Sequence, residues 1–234
     1  MWTAAQRMEI AGVAGAGKST LARALADRYA GCRVADSLHT RLPAHWPYVA
    51  HSVRGLLPLI TATARSRPAL SWDEIKFAVY VSEWDRYLRR EHRQGLVVLD
   101  QGPIFALARL LWGQKPVTRS EPFRAWMRAM VLRWSVELDV IVWLDAPDST
   151  LHERIGSRDQ RHEAKGRPTR EVLELLETHR QAYRSVLEAF ARLGRPPVLR
   201  FDTSRMSPLE IADAVDGALA AGAPRVAEAA GSRS

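Results

Sequence analysis

The chain has 234 residues, 47% of them apolar and 26% charged, which suits one packed domain with a small lid rather than two separate cores. Its 14 glycines and 13 prolines exclude a collagen-like or disordered chain, and the lone Cys32 excludes a disulfide framework or a sulfur-rich zinc cluster. The formal charge is +8, yet the basic residues are spread and mixed with acids, so no continuous stripe for nucleic acid is expected.

No window approaches the ~20 apolar residues that a membrane span requires, and the first ten residues do not read as a signal peptide. A cytoplasmic protein without a membrane partner is therefore expected. Arginine dominates the basic residues, with lysine only at Lys18, Lys76, Lys115 and Lys165. That balance also follows from base composition, so position says more than count.

In chain order, Met8-Glu9-Ile10-Ala11 reads as a strand that runs into Gly12-Val13-Ala14-Gly15-Ala16-Gly17-Lys18-Ser19-Thr20, and Leu21 to Tyr29 reads as a helix. Gly12, four residues, then Gly17-Lys18-Ser19 is the spacing of a phosphate-binding loop, where small residues let backbone N–H groups turn inward around a phosphate. Gly12, Ala14, Gly15, Ala16, Gly17, Lys18, Ser19 and Thr20 are thus predicted to hold the nucleotide. Lys18 would reach the β- and γ-phosphates, and Ser19 would ligate Mg2+.

Further strands are predicted at Cys32-Ala35, Gly95-Leu99, Val140-Leu144 and Pro197-Phe201. Three are continuous apolar runs, the pattern of buried parallel strands. Helices are predicted over 51–65, 71–93, 104–112, 121–136, 148–160, 168–193 and 208–220, with Ser71, Asp148 and Ser207 as caps. The predicted fold is α/β, a doubly wound five-stranded parallel sheet with a helical arginine-rich lid. One domain spans 1–219, with acceptor-binding helices over about 40–93 and 103–136, a lid over about 150–167, and a flexible tail over 220–234.

Carboxylates stand where such a fold places its site, after the strands. Asp100, after the third strand, is expected beside the phosphate loop as a metal-side carboxylate. Asp36, after the second, is the candidate base for an acceptor hydroxyl; capping a turn is the alternative. Asp145, after the fourth, reads first as a cap. Asp202, after the fifth, is expected in a loop near the nucleotide base. Arg154, Arg158 and Arg161 recur at steps of four and three, so a continuing helix would present them on one face to neutralise charge during transfer. The acids among them allow a solvated, salt-bridged helix instead. Phe77, Tyr80 and Trp84 form a stripe that reads as packing, with a stacking role for Trp72, Tyr80 or Trp84 left open. Trp112, Trp126 and Trp134 lie where an apolar substrate pocket is equally open.

The phosphate loop Gly12-Thr20, Asp36 after the second strand, Asp100 after the third, and Leu151, Arg154-Ile155, Arg158, Arg161 and Glu163 together resemble the thymidylate kinase and deoxynucleoside kinase group of P-loop kinases, over Met8 to Leu219. The resemblance implies ATP and Mg2+ as cofactors, Asp36 as general base, and lid arginines that help transfer the γ-phosphoryl. Both branches of that group usually carry an arginine just after the acidic residue at the third strand, where this chain has Gln101-Gly102-Pro103. The missing cation favours an acceptor hydroxyl on a nucleoside-like molecule or specialised metabolite over a phosphate-bearing acceptor. The alternatives are a nucleoside monophosphate kinase of thymidylate kinase type and a regulatory P-loop ATPase. The guanine-reading Asn-Lys-x-Asp segment is absent, which favours ATP, and a homodimer is possible.

Overall fold

The computed structural model describes residues 6–35, 46–65, 70–91, 95–157 and 166–220. Five strands carry the architecture: β1 (Gln6–Gly12), β2 (Arg33–Val34), β3 (Leu96–Asp100), β4 (Val140–Asp145) and β5 (Val198–Asp202). They form one sheet in the order β2-β3-β1-β4-β5, with every described pairing parallel. Parallel strands buried on both faces need apolar side chains throughout, and Leu96 to Leu99 and Val140 to Leu144 are buried accordingly. The doubly wound α/β sheet predicted from those runs is the observed fold.

Among the described residues the α-helices are α1 (Lys18–Arg28), α2 (Trp46–Arg65), α3 (Trp72–Glu91), α4 (Pro103–Leu111), α5 (Glu121–Glu137), α6 (Asp148–Gly156), α7 (Thr169–Arg192) and α8 (Pro208–Ala220). Helix α1 packs with α8, while α2 to α7 pack among themselves, so the helices form two groups about the sheet. Trp84 and Trp134 are fully buried where α3 meets α5, 6.2 Å apart between ring centroids. Their indoles and that of Trp126 fasten the two helices: Trp134 donates to the Val81 carbonyl at 2.9 Å and Trp126 to Ser82 Oγ at 3.4 Å. Trp84, Trp126 and Trp134 are therefore core residues, and Trp72 is the exposed member of the aromatic set.

The amino end of the sheet is secured by charge. Arg7 on β1 and Arg89 on α3 both pair with the buried Glu137 on α5, and Arg133 ion-pairs with the buried Asp85 at 2.6 Å and donates its Nε–H to Asp85 Oδ2 at 3.1 Å. Carboxylates at such depth persist only when paired.

Three details differ from expectation. Asp148 does not cap α6: Pro147 takes the N-cap position, and Asp148 in the first turn ion-pairs with Arg180 of α7 at 2.5 Å. Helix α6 ends at Gly156 rather than running to 160, and Ser157 closes it by donating its N–H to the Glu153 carbonyl at 3.0 Å. Ser71 and Ser207 do cap: Ser71 receives the Glu74 N–H at 3.3 Å while Glu74 accepts the Ser71 N–H at 2.6 Å, and Ser207 with Glu210 repeats the reciprocal pair. Helix α2 starts at Trp46, five residues before its predicted start at 51.

Candidate active site

With β1 between β3 and β4, the chain leaves the sheet in opposite directions on either side of β1, which opens a crevice at its carboxyl end. The register aligns Ile10 with Asp100 and Gly12 with Leu144, so the phosphate loop, Asp100 and the end of β4 share that crevice. Gly15 and Gly17 adopt φ of 83° and 85°, left-handed values that a side chain would strain, and Gly17 leads directly into α1. The loop therefore presents the amino end of an 11-residue helix, with its positive dipole end, to the crevice. The Lys18 ammonium donates to the Gly12 carbonyl at 2.8 Å and the Val13 carbonyl at 3.0 Å, which holds it against the loop.

Ser19 Oγ donates to Asp100 Oδ2 at 2.8 Å, joining the first turn of α1 to the end of β3. The other carboxylate oxygen, Asp100 Oδ1, is buried without a hydrogen-bond partner among the described residues. A hydroxyl and an anionic oxygen with spare acceptor capacity fit the donor preference of Mg2+, which takes oxygen ligands and leaves most positions to phosphates and water. Among the described residues no group of three or more His, Cys, Asp or Glu side chains could hold a metal on its own. The pair is thus a partial site that a nucleotide's phosphates would complete.

Arg154 on α6 reaches across the crevice. Its Nη1 donates to the Gly15 carbonyl at 3.3 Å and to Thr203 Oγ1 at 2.9 Å, and its Nη2 donates to the Thr203 carbonyl at 3.0 Å. One guanidinium so links the phosphate loop to the loop after β5. Asp202 shapes that second loop, accepting from Ser204 N at 2.8 Å and Ser204 Oγ at 2.6 Å, bonds that hold its carboxyl below the usual range. Asp145 accepts from the Ala146 N–H at 2.9 Å and from Arg180 Nε at 3.0 Å, and it does not cap α6, whose N-cap is Pro147 with no side-chain cap bond. Asp36, Arg158 and Arg161 lie outside the described residues.

The structure adds one residue that the sequence reading passed over. Glu9, in the middle of β1, is fully buried and accepts the N–H groups of Ile104 at 2.8 Å and Phe105 at 2.9 Å. Burial pushes its carboxyl up to about 8, against the opposing effect of those N–H groups, with the nearby Asp100 charge adding to the rise. The available signal was a carboxylate inside an otherwise apolar strand. Beyond it, Phe77 of α3 meets Phe105 of α4 edge to face at 5.8 Å, Phe105 meets Trp112 at 5.9 Å, and Trp112 stacks on His179 at 3.5 Å. This aromatic row begins five residues after Asp100. Burial raises the Cys32 thiol to about 11, which disfavours its thiolate.

Residues 8–183 match the AAA domain family. Among solved structures, deoxyadenosine kinase from M. mycoides with bound dATP is similar over 91% of this chain and 98% of its own, at 14% identity and a TM-score of 0.51. The same enzyme with products dCMP and a flexible dCDP bound is similar over 93% of this chain and 100% of its own, at 14% identity and a TM-score of 0.55. With bound dCTP the figures are 92%, 100%, 14% and 0.52. No curated protein matches the chain by sequence. At this identity the likeness is one of fold, and it agrees with the resemblance carried by the sequence motifs.

Proposed function

The chain belongs to the AAA domain family, and from that premise we propose that it is an ATP-dependent kinase that transfers the γ-phosphoryl of MgATP to a hydroxyl of a small nucleoside-like molecule or related metabolite. The observation that carries the reading is the Ser19–Asp100 pair with its unpartnered buried carboxylate oxygen, set against the phosphate loop. A divalent ion bound there would neutralise charge on the β- and γ-oxygens.

The chain's own residues then divide the work. Lys18 and the loop N–H groups hold the phosphates, and Arg154, already bonded to both the phosphate loop and Thr203, fixes the nucleotide between them. Arg158 and Arg161 supply further positive charge as transfer proceeds. Asp36 accepts the acceptor's proton as its oxygen bonds to the γ-phosphorus; the bond from that phosphorus to the β–γ bridging oxygen breaks, and ADP leaves with the electron pair. Phe77 and Phe105 offer the acceptor an apolar wall. The shared fold with deoxyadenosine kinase supports a nucleoside-like acceptor, and the uncharged Gln101 after Asp100 supports a hydroxyl over a phosphate.

Mass spectrometry tests this directly, with MgATP, wild-type protein and Asp36→Asn offered nucleosides, nucleoside monophosphates and hydroxylated natural products. The proposal expects one added phosphoryl on a non-phosphorylated acceptor, lost in the variant. Transfer confined to monophosphates would identify a nucleoside monophosphate kinase, and ATP hydrolysis without a phosphorylated product would identify a regulatory ATPase.

A further inference from the structure

Asp100 is followed at once by a turn that the chain would not adopt unaided. Gln101 has a φ of 72°, a left-handed value that residues with a side chain adopt only at a cost. Such a conformation persists only where surrounding contacts over-determine it. Here the contacts come from Glu9 on the neighbouring strand, whose two carboxylate oxygens accept the N–H groups of Ile104 and Phe105, with the Gly102 N–H adding a third bond.

The fit is close on the other side as well. A Cβ at Gly102 would lie 2.6 Å from the Glu9 carboxyl carbon and 2.6 Å from its Oε2, although Gly102 itself has an ordinary φ of −78°. Glycine is needed there for space, and the space is occupied by Glu9. Helix α4 has no side-chain cap of its own at Gly102, so Glu9 serves as its cap from another element. The groups packed around Glu9 are Asp100 on β3, Tyr183 on α7 and the N–H groups that open α4.

We propose that Glu9 is a positioning residue for the metal-binding carboxylate: by clamping the turn from Gln101 to Phe105 it fixes the direction in which Asp100 leaves β3, and so holds Asp100 against Ser19. This rests on the reading of Ser19 and Asp100 as the magnesium site. It predicts that loss of the clamp weakens the contribution of magnesium to nucleotide binding and leaves binding without magnesium intact, because Lys18, the loop N–H groups and Arg154 do not depend on the turn. The amide of Glu9→Gln keeps one acceptor for the α4 N–H groups but sets its NH2 against the other, so it loosens the clamp, whereas Glu9→Ala removes it.

The experiment is calorimetric titration of ADP with and without Mg2+ into wild type, Asp100→Asn, Glu9→Ala, Glu9→Gln and Gly102→Ala. The expected result is a magnesium-dependent gain in wild type that Asp100→Asn abolishes, that Glu9→Ala reduces at least fivefold, and that Glu9→Gln reduces by a smaller factor, with affinity for ADP alone within twofold throughout. Gly102→Ala, which leaves Glu9 in place but pushes the turn aside, should reproduce the loss and carries the test if Glu9→Ala does not fold. A full magnesium gain in folded Glu9→Ala, or in Gly102→Ala, overturns the inference alone. Equal weakening with and without magnesium shows a structural role only and also overturns it. No magnesium gain in wild type overturns the reading of the site and the inference with it.

Discussion

Ser19 Oγ stands 2.8 Å from Asp100 Oδ2, across 81 residues of chain, and this bond joins the first turn of α1 to the end of β3. The pairing follows from topology: β1 and β3 are neighbours, and Asp100 at the end of β3 lies level with Ile10, two residues before β1 ends at Gly12 and the loop to α1 begins. Removing either partner should act on magnesium use before stability. For Ser19→Ala, the Mg2+ concentration at half-maximal transfer should rise severalfold with little change in melting temperature, read from activity across a magnesium series.

Lys18 is held against the Gly12 and Val13 carbonyls, so its charge is already at the loop when phosphates arrive. Replacing it with alanine should lower kcat by about 10²–10³-fold, the effect of deleting one preorganised group that stabilises transition-state charge. Steady-state kinetics with a saturating acceptor measure it, and thermal unfolding should show the fold intact.

Arg154 binds two loops at once, through Gly15 and Thr203. Arg154→Ala should raise KM for ATP about tenfold, equivalent to about 1.4 kcal/mol of binding. Thr203→Val, which removes one acceptor and leaves the Thr203-position carbonyl in place, should have a smaller effect in the same direction. Equal ATP binding by wild type and Arg154→Ala in direct titration would contradict the assignment.

Glu9 makes folding depend on pH. Its carboxyl lies at about 8 in the fold because of burial, and near ~4.3 in an unfolded chain. Between those values the folded protein keeps a proton that the unfolded chain has released. The contribution is therefore complete below the lower value and is lost as pH rises to the upper one, at about 1.4 kcal/mol per pH unit. Glu9→Gln cannot titrate and should lose this slope. From pH 5.5 to 7.5, the unfolding free energy of wild type relative to Glu9→Gln should fall by about 3 kcal/mol, measured by urea denaturation.

Arg133 covers the buried Asp85 with a contact of 2.6 Å between helices α5 and α3. Arg133→Met should cost about 3 kcal/mol, since it leaves a carboxylate buried with less compensation. Urea denaturation checks the value, and transfer activity of the folded fraction should be unaffected, as the contact lies on the α3–α5 packing rather than in the crevice.

Much of this was legible before any coordinates. The apolar runs at 96–99 and 140–144 announce buried parallel strands, and the glycine spacing ahead of Lys18 requires a loop between strand and helix. Asp100 could be placed beside Ser19 because a doubly wound sheet brings strand ends together. What escaped depends on contacts distant in sequence. Glu9 looks like an interruption in a strand until α4, 95 residues on, supplies its partners. Asp148 has the composition of a cap, but Pro147 occupies that place and Arg180, from α7, takes the carboxylate. The tryptophans of α5 share the signature of a pocket lining and of a core, and only the packing of α3 against them separates the two.

The central claim is transfer to a hydroxyl, and phosphorus NMR of the wild-type protein with MgATP and a pool of nucleosides tests it most directly. The account predicts a new phosphomonoester resonance that grows in step with ADP and is absent with Asp36→Asn. Growth of ADP with inorganic phosphate alone, or of diphosphates only when monophosphates are supplied, would contradict it.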